Sequence, residues 1–84
     1  METAAVETQV VKLLTDRVGI PPDAAVPGAR LADDLGLDSL DAVELVIALE
    51  QQFAIAVSDA EVARLETVGD LVTLVVERAG GRPA

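Results

Sequence analysis

The apolar residues of this chain fall in helical steps, separated by short polar breaks and by glycine and proline. Val6, Val10, Leu13 and Leu14 recur at i, i+4, i+7 and i+8, and predict a first helix from roughly Thr3 to Val18. Gly19, followed by Pro21 and Pro22, stops it: glycine accepts the left-handed turn that ends a helix, and proline cannot continue one. From Gly19 to Asp38 the periodicity lapses for about twenty residues, and loops that long inside a compact domain are usually functional. Ile20, Val26, Leu31, Leu35 and Leu37 punctuate this loop as candidate pegs into a core.

The second helix, Ser39 to about Gln52, has the clearest pattern. Ala42, Leu45, Val46, Leu49 and Phe53 stand at i, i+3, i+4, i+7 and i+11, one narrow stripe on a helical wheel. Asp38 suits its N-cap, with Asp41 three residues on as a weaker partner in a capping box. Ser58 and Glu61 open a short third helix that ends near Arg64, with Val57 and Val62 placed as a hydrophobic staple. Thr67 and Asp70 open the last helix; its stripe is Val68, Leu71, Val72 and Val75, and Gly80-Gly81 ends it. No stretch alternates with the two-residue period of a strand. The pattern therefore predicts an all-α fold: a small four-helix bundle, three longer helices and one short third helix, with a long first loop.

The second helix carries more apolar surface than a bundle helix needs. Leu40, Val43 and Ile47 form a second stripe roughly 120° from the first, at about 100° per residue. Asp41 and Glu44 lie on its far side, and Glu50 lies between the two stripes. This second stripe either packs on the third helix and the loop or stands exposed as a docking ridge edged by carboxylates. The pattern leaves both open.

Composition narrows the function. A chain of 84 residues makes one small domain, burying only about 60 to 65% of the surface it exposes unfolded. Its interior is aliphatic, for Phe53 is the sole aromatic residue. Six basic residues against fifteen acidic ones give a net charge of −9, which disfavours nucleic acid and anionic membranes as partners and favours a basic protein surface. The charge is also unevenly placed: from Leu31 to Ala63 there are eight carboxylates and no basic residue. Cysteine and histidine are absent, so the usual nucleophile, general base and soft metal ligands are missing. Asp33-Asp34 is a carboxylate pair, but so small a bundle offers no deep cleft to desolvate it, and a solvated acidic surface is the simpler reading. The chain reads as no enzyme. It has neither an apolar run of about 18 residues to span a bilayer nor the basic and apolar start of a signal peptide, so a cytoplasmic monomer without membrane attachment is expected.

Ser39 has two readings. It is an ordinary helix-start residue, or it is a hydroxyl held open at the tip of the bundle for modification by another enzyme. The free N–H groups and dipole of a helix start favour a phosphate there.

The residues Leu35-Gly36-Leu37-Asp38-Ser39-Leu40-Asp41-Ala42-Val43-Glu44-Leu45 closely resemble the attachment segment of acyl carrier proteins of the discrete, single-domain type. The likeness extends without gaps from about Leu31 through Val68, and includes Ala48-Leu49-Glu50 and Phe53. It implies that residues 1–84 form a single acyl-carrier domain. It implies that Ser39 carries a 4′-phosphopantetheine arm, transferred from coenzyme A by a phosphopantetheinyl transferase. It implies that Asp38, Asp41, Glu44 and Glu50, with Leu40, Val43 and Ile47 among them, dock onto basic patches of acyltransferases, ketosynthases or acyl ligases. Gln51, Gln52 and the uncharged Ala54-Ile55-Ala56 depart from the more acidic fatty-acid members, which leaves polyketide assembly at least as well supported as fatty acid synthesis. The alternative is an aminoacyl or peptidyl carrier; those more often place histidine before the serine, where this chain has Asp38.

Overall fold

A computed structural model describes residues 3–80 of the chain. Gly80 is still within the last helical turn and Gly81 lies outside the described residues, so the stop expected at Gly80-Gly81 lies outside them. Four helices are present among the described residues, α1 (Thr3–Val18), α2 (Ser39–Phe53), α3 (Asp59–Arg64) and α4 (Val68–Val75). A single 3-10 turn, Pro22–Ala24, lies in the first loop, and a wider π turn, Val76–Gly80, prolongs α4. No strand occurs among the described residues; Arg30 and Thr67 form one isolated antiparallel bridge. The all-α, four-helix expectation holds, with α3 the short one.

Three of the helices begin as their sequences predict. Asp41 N–H donates to Asp38 Oδ1 (2.9 Å) and Asp38 N–H to Asp41 Oδ2 (3.3 Å), so the aspartate pair makes a complete capping box at α2. Ser58 with Glu61 and Thr67 with Asp70 do the same for α3 and α4. Each box satisfies first-turn N–H groups that a helix cannot satisfy itself.

The core lies where α1, α2 and α4 meet. Val6, Val10, Leu13 and Leu14 of α1 are buried against Leu45, Ala48 and Leu49 of α2 and Val68, Leu71, Val72 and Val75 of α4. Leu49 is wholly shielded and Leu45 is 2% exposed. Ala42 and Phe53, the ends of the predicted α2 stripe, are only half-buried, while Ala48 joins the core. By contrast α3 contributes no buried residue.

The first loop is tied down, but not by all of the expected pegs. Gly19 takes a left-handed φ of +73°, and the chain doubles back so that Ile20 N–H meets Leu14 C=O at 3.1 Å and the Ile20 side chain enters the core. Leu31, Leu35 and Leu37 pack half-buried against that core. Val26 does not: it is 51% exposed, and Ala25 and Ala29 are buried in its place. The reason is close approach. Pro27 C=O accepts from Gly69 N–H (2.9 Å) and Ala29 C=O from Val68 N–H (3.0 Å), so the loop lies directly on the start of α4, where only small side chains fit. A Cβ on Gly69 would stand 3.1 Å from Pro27 O, tighter than an ordinary contact.

Leu49→Ala and Leu45→Ala should each destabilise the protein within about 2 to 5 kcal/mol, the range for buried leucines. Leu45 borders a cleft and Leu49 does not, so Leu49→Ala should be the costlier in a denaturant titration. A reversed order contradicts this packing.

Asp70 gives a pH signature. Its Oδ2 accepts from Glu66 N–H (3.0 Å) and Thr67 N–H (3.1 Å), and these bonds, Glu66's first, hold its carboxyl below the ordinary carboxylate range against a small opposing effect of burial. A folded-state pKa below the unfolded one adds stability that is present above the ordinary carboxylate range and is lost as pH falls through the lowered value. Asp70→Asn should therefore cost under about 1 kcal/mol at neutral pH, because the group is exposed and screened. The difference should vanish in strong acid, as read by thermal unfolding across a pH series.

Candidate functional site

Helix starts in this protein are occupied by hydroxyls and carboxylates, and most of these are committed. Ser58 Oγ accepts from Glu61 N–H (3.2 Å) and donates to Glu61 Oε1 (3.1 Å); Thr67 Oγ1 accepts from Asp70 N–H (3.1 Å). Ser39 differs. It stands one residue inside α2, because Asp38 takes the cap, and its hydroxyl is exposed and has no capping duty.

Beside Ser39 opens a cavity of about 320 Å³, within the range of small-molecule sites. Leu31 and Leu37 of the first loop, Ala42, Leu45 and Val46 of α2, Val62 of α3, Leu65 just beyond it, and Leu71 of α4 line it with aliphatic carbon. Arg30, Asp33, Asp38 and Glu66 supply its polar lining, and Arg30 Nη1 pairs with Asp33 Oδ2 at 3.3 Å. A hydroxyl, an aliphatic hollow and a charged edge thus share one end of the bundle.

The second stripe of α2 is exposed. Leu40 is 66% exposed, Val43 52% and Ile47 48%, large aliphatic side chains on one helical face. Glu44 lies exposed on the same helix, and Glu44 and Ile47 also border a second cleft with Asp16 and Arg17 of α1. Asp38 and Asp41 cap the Ser39 end of the ridge. Of the residues singled out in the sequence, Ser39, Leu40, Val43, Glu44 and Ile47 are therefore open to solvent, while Asp38 and Asp41 are engaged in the cap.

Glu50 stands apart. It is half-buried, its Oε2 accepts from Val57 N–H (2.9 Å), and its C=O accepts from Ile55 N–H (3.2 Å) and Ala54 N–H. Its side chain closes the turn after α2, where Ala54 takes a left-handed φ of 54° that a residue with a Cβ adopts at a cost of about 1 kcal/mol. Sequence periodicity placed Glu50 between the two stripes and gave no sign of this bond, which spans seven residues across a bend.

Three further features of the site escaped the sequence reading: the cavity wall from Val62 and Leu65, Arg30 at its edge, and the link from Arg78 to α3. The last had a visible signal, since Leu71, Leu74, Val75 and Arg78 follow one another at i, i+3, i+4 and i+7 on the buried stripe of α4.

No helix among the described residues is long and apolar enough to cross a membrane. Residues 8–75 match the phosphopantetheine attachment site family, a span that runs from the first helix through the end of α4 and includes the cavity and ridge. Carrier domains of this kind interact with modifying and biosynthetic enzymes. The chain belongs to the phosphopantetheine attachment site family, and is a carrier protein whose covalent cofactor is 4′-phosphopantetheine.

Proposed function

We propose that this chain is an acyl carrier protein in which Ser39 bears the arm, and that it delivers acyl intermediates to enzymes of polyketide or fatty acid biosynthesis. The observation that carries this reading is the exposed Ser39 hydroxyl, relieved of capping by Asp38, at the edge of an aliphatic cavity. The residues suit the group: a solvent-facing hydroxyl can take the phosphopantetheinyl group from coenzyme A, forming a phosphodiester as the nucleotide half leaves, and the start of α2 favours its negative charge. When attached, the group supplies a thiol that holds an acyl chain as a thioester. The protein's own part is to present Ser39 to the transferase, to keep α2 rigid behind it through the Asp38–Asp41 box, and to offer an apolar hollow beside it. We read it as performing no catalysis, consistent with a chain that has neither histidine nor cysteine.

Docking rests on the exposed ridge. Leu40, Val43 and Ile47 supply apolar contact next to Ser39, and Glu44 with the carboxylates of Asp38 and Asp41 supplies the field that draws in a basic surface. Glu50, tied to Val57, adds its charge while its side chain serves the turn. The partners that fit are a phosphopantetheinyl transferase and acyltransferases, ketosynthases or acyl ligases with basic patches. The aliphatic lining and Asp38, in place of histidine before the serine, favour acyl over aminoacyl cargo.

Incubated with coenzyme A, magnesium and a broad-specificity transferase, the protein should gain one phosphopantetheinyl group by intact mass, and Ser39→Ala should gain none. Modification mapped to Ser58 instead overturns the assignment. In surface-binding kinetics with the same transferase, Glu44→Lys should slow association, and added salt should slow the wild type, because exposed charges are screened within about 10 Å at 0.1 M. Ile47→Ala should instead mainly speed dissociation. An association rate that responds neither to Glu44→Lys nor to salt means that the acidic face takes no part in docking.

A further inference from the structure

Polar contacts as well as packing hold α3 in place. None of its residues is buried, and its inward apolar side chain, Val62, joins Leu65 as a half-buried wall of the cavity beside Ser39. Arg78, in the π turn after α4, reaches across to it. Arg78 Nη1 donates to Ala56 C=O (2.9 Å) and to Glu61 Oε1 (3.0 Å), and Nη2 pairs with Glu61 Oε2. A two-pronged guanidinium–carboxylate pair is stronger and more directional than a single surface contact. Glu61 Oε1 also accepts from Ser58 N–H (3.0 Å) and Ser58 Oγ (3.1 Å). The Glu61 carboxylate therefore joins the cap of α3 to the C-terminal turn, and Arg78 ties in the turn before α3 at Ala56.

The position of Arg78 is itself informative. It falls on the buried stripe of α4, where the period calls for an apolar side chain, and the helix widens into a π turn around it. A guanidinium at this register is half-buried and spends its donors on α3 and on the turn before it.

We propose that Arg78 is a positioning residue: its clamp on Glu61 keeps α3 closed over the cavity beside Ser39, and apolar cargo gains the cavity when the clamp releases. The part concerning cargo rests on the carrier reading; the clamp is a property of the unmodified chain. Release leaves the core intact, because the buried helical side chains come from α1, α2 and α4 and none from α3.

The test is amide hydrogen exchange on the unmodified full chain, with Nile red, a neutral apolar dye, as the probe of the cavity. Arg78→Gln should speed exchange of the amides of Val62 to Leu65 by about two- to fivefold, the scale of losing one partly exposed ion pair, while amides around Leu13 and Leu49 keep their wild-type rates. The same variant should bind Nile red faster. Arg78→Lys, which keeps the charge but loses the fork, should fall between the two. Salt at about 0.5 M, where the screening length is only a few ångströms, should move wild-type α3 toward the variant and leave Arg78→Gln unchanged. Unaltered α3 exchange in Arg78→Gln overturns the proposal, and so does an equal rise in every helix, which makes Arg78 a general stabiliser. If Arg78→Gln does not fold, Arg78→Lys and the wild-type salt series decide by the same criteria. Failure of Ser39 to accept the arm leaves these measurements unaffected, so the clamp and the carrier reading fail separately.

Discussion

Everything at the Ser39 end of the molecule depends on how the first loop is fastened to the start of α4. That helix begins with N–H groups that have no partner within it. Val68 and Gly69 give theirs to Ala29 and Pro27 of the loop, and Leu31 N–H answers by donating to Glu66 C=O at 2.8 Å. A long loop with few side chains of its own in the core is thereby held by main-chain bonds. That placement sets Leu31 and Leu37, and with them one wall of the cavity. Asp70 reinforces the junction by holding Glu66 N–H and Thr67 N–H, so a single carboxylate stabilises both the helix start and the strip of chain that the loop leans on.

The two stripes of α2 divide the labour of the helix. Leu45, Val46, Ala48 and Leu49 serve the core, while Leu40, Val43 and Ile47 stay in water at an energetic disadvantage that the fold does not recover. Three large aliphatic side chains exposed together beside the Ser39 hydroxyl are the kind of patch that marks an interaction surface, which is why the proposed docking rests on them. Glu50, between the stripes, is half-buried and also serves the fold, since its carboxylate accepts from Val57 N–H.

How much of this was legible in the sequence depends on the range of the interactions. Helix periodicity and capping boxes act over three or four residues, so α1, the core stripe of α2, the three caps and the place of Ser39 at the start of α2 could be read from local spacing. The Asp38-Ser39-Leu40 segment was legible through its resemblance to a known attachment segment rather than through spacing. The exposure of the ridge was not, because a helical wheel shows that a second stripe exists but not what covers it. Val26 misled, because its apolar character says nothing of the Pro27 and Ala29 carbonyls just after it that must reach α4. The bonds from residues 27–31 to 66–69 join places far apart in the chain and have no local signature, and those from Arg78 to Ala56 and Glu61 left only the place of Arg78 on an apolar stripe as a sign.

The fastening of residues 27–31 to 66–69 also makes a closed lobe of the chain between them, which contains Ser39, α2 and α3. In polymer terms, the entropy of closing such a loop rises only with the logarithm of its length, about 0.6 kcal/mol for each doubling. Residues added or removed in the turn between α2 and α3 therefore barely strain the stitch at its base. The wall of the cavity can lengthen, shorten or change its side chains while α1 and α4 keep their contacts, so that what the lobe accommodates is free to diverge on a stem that stays the same.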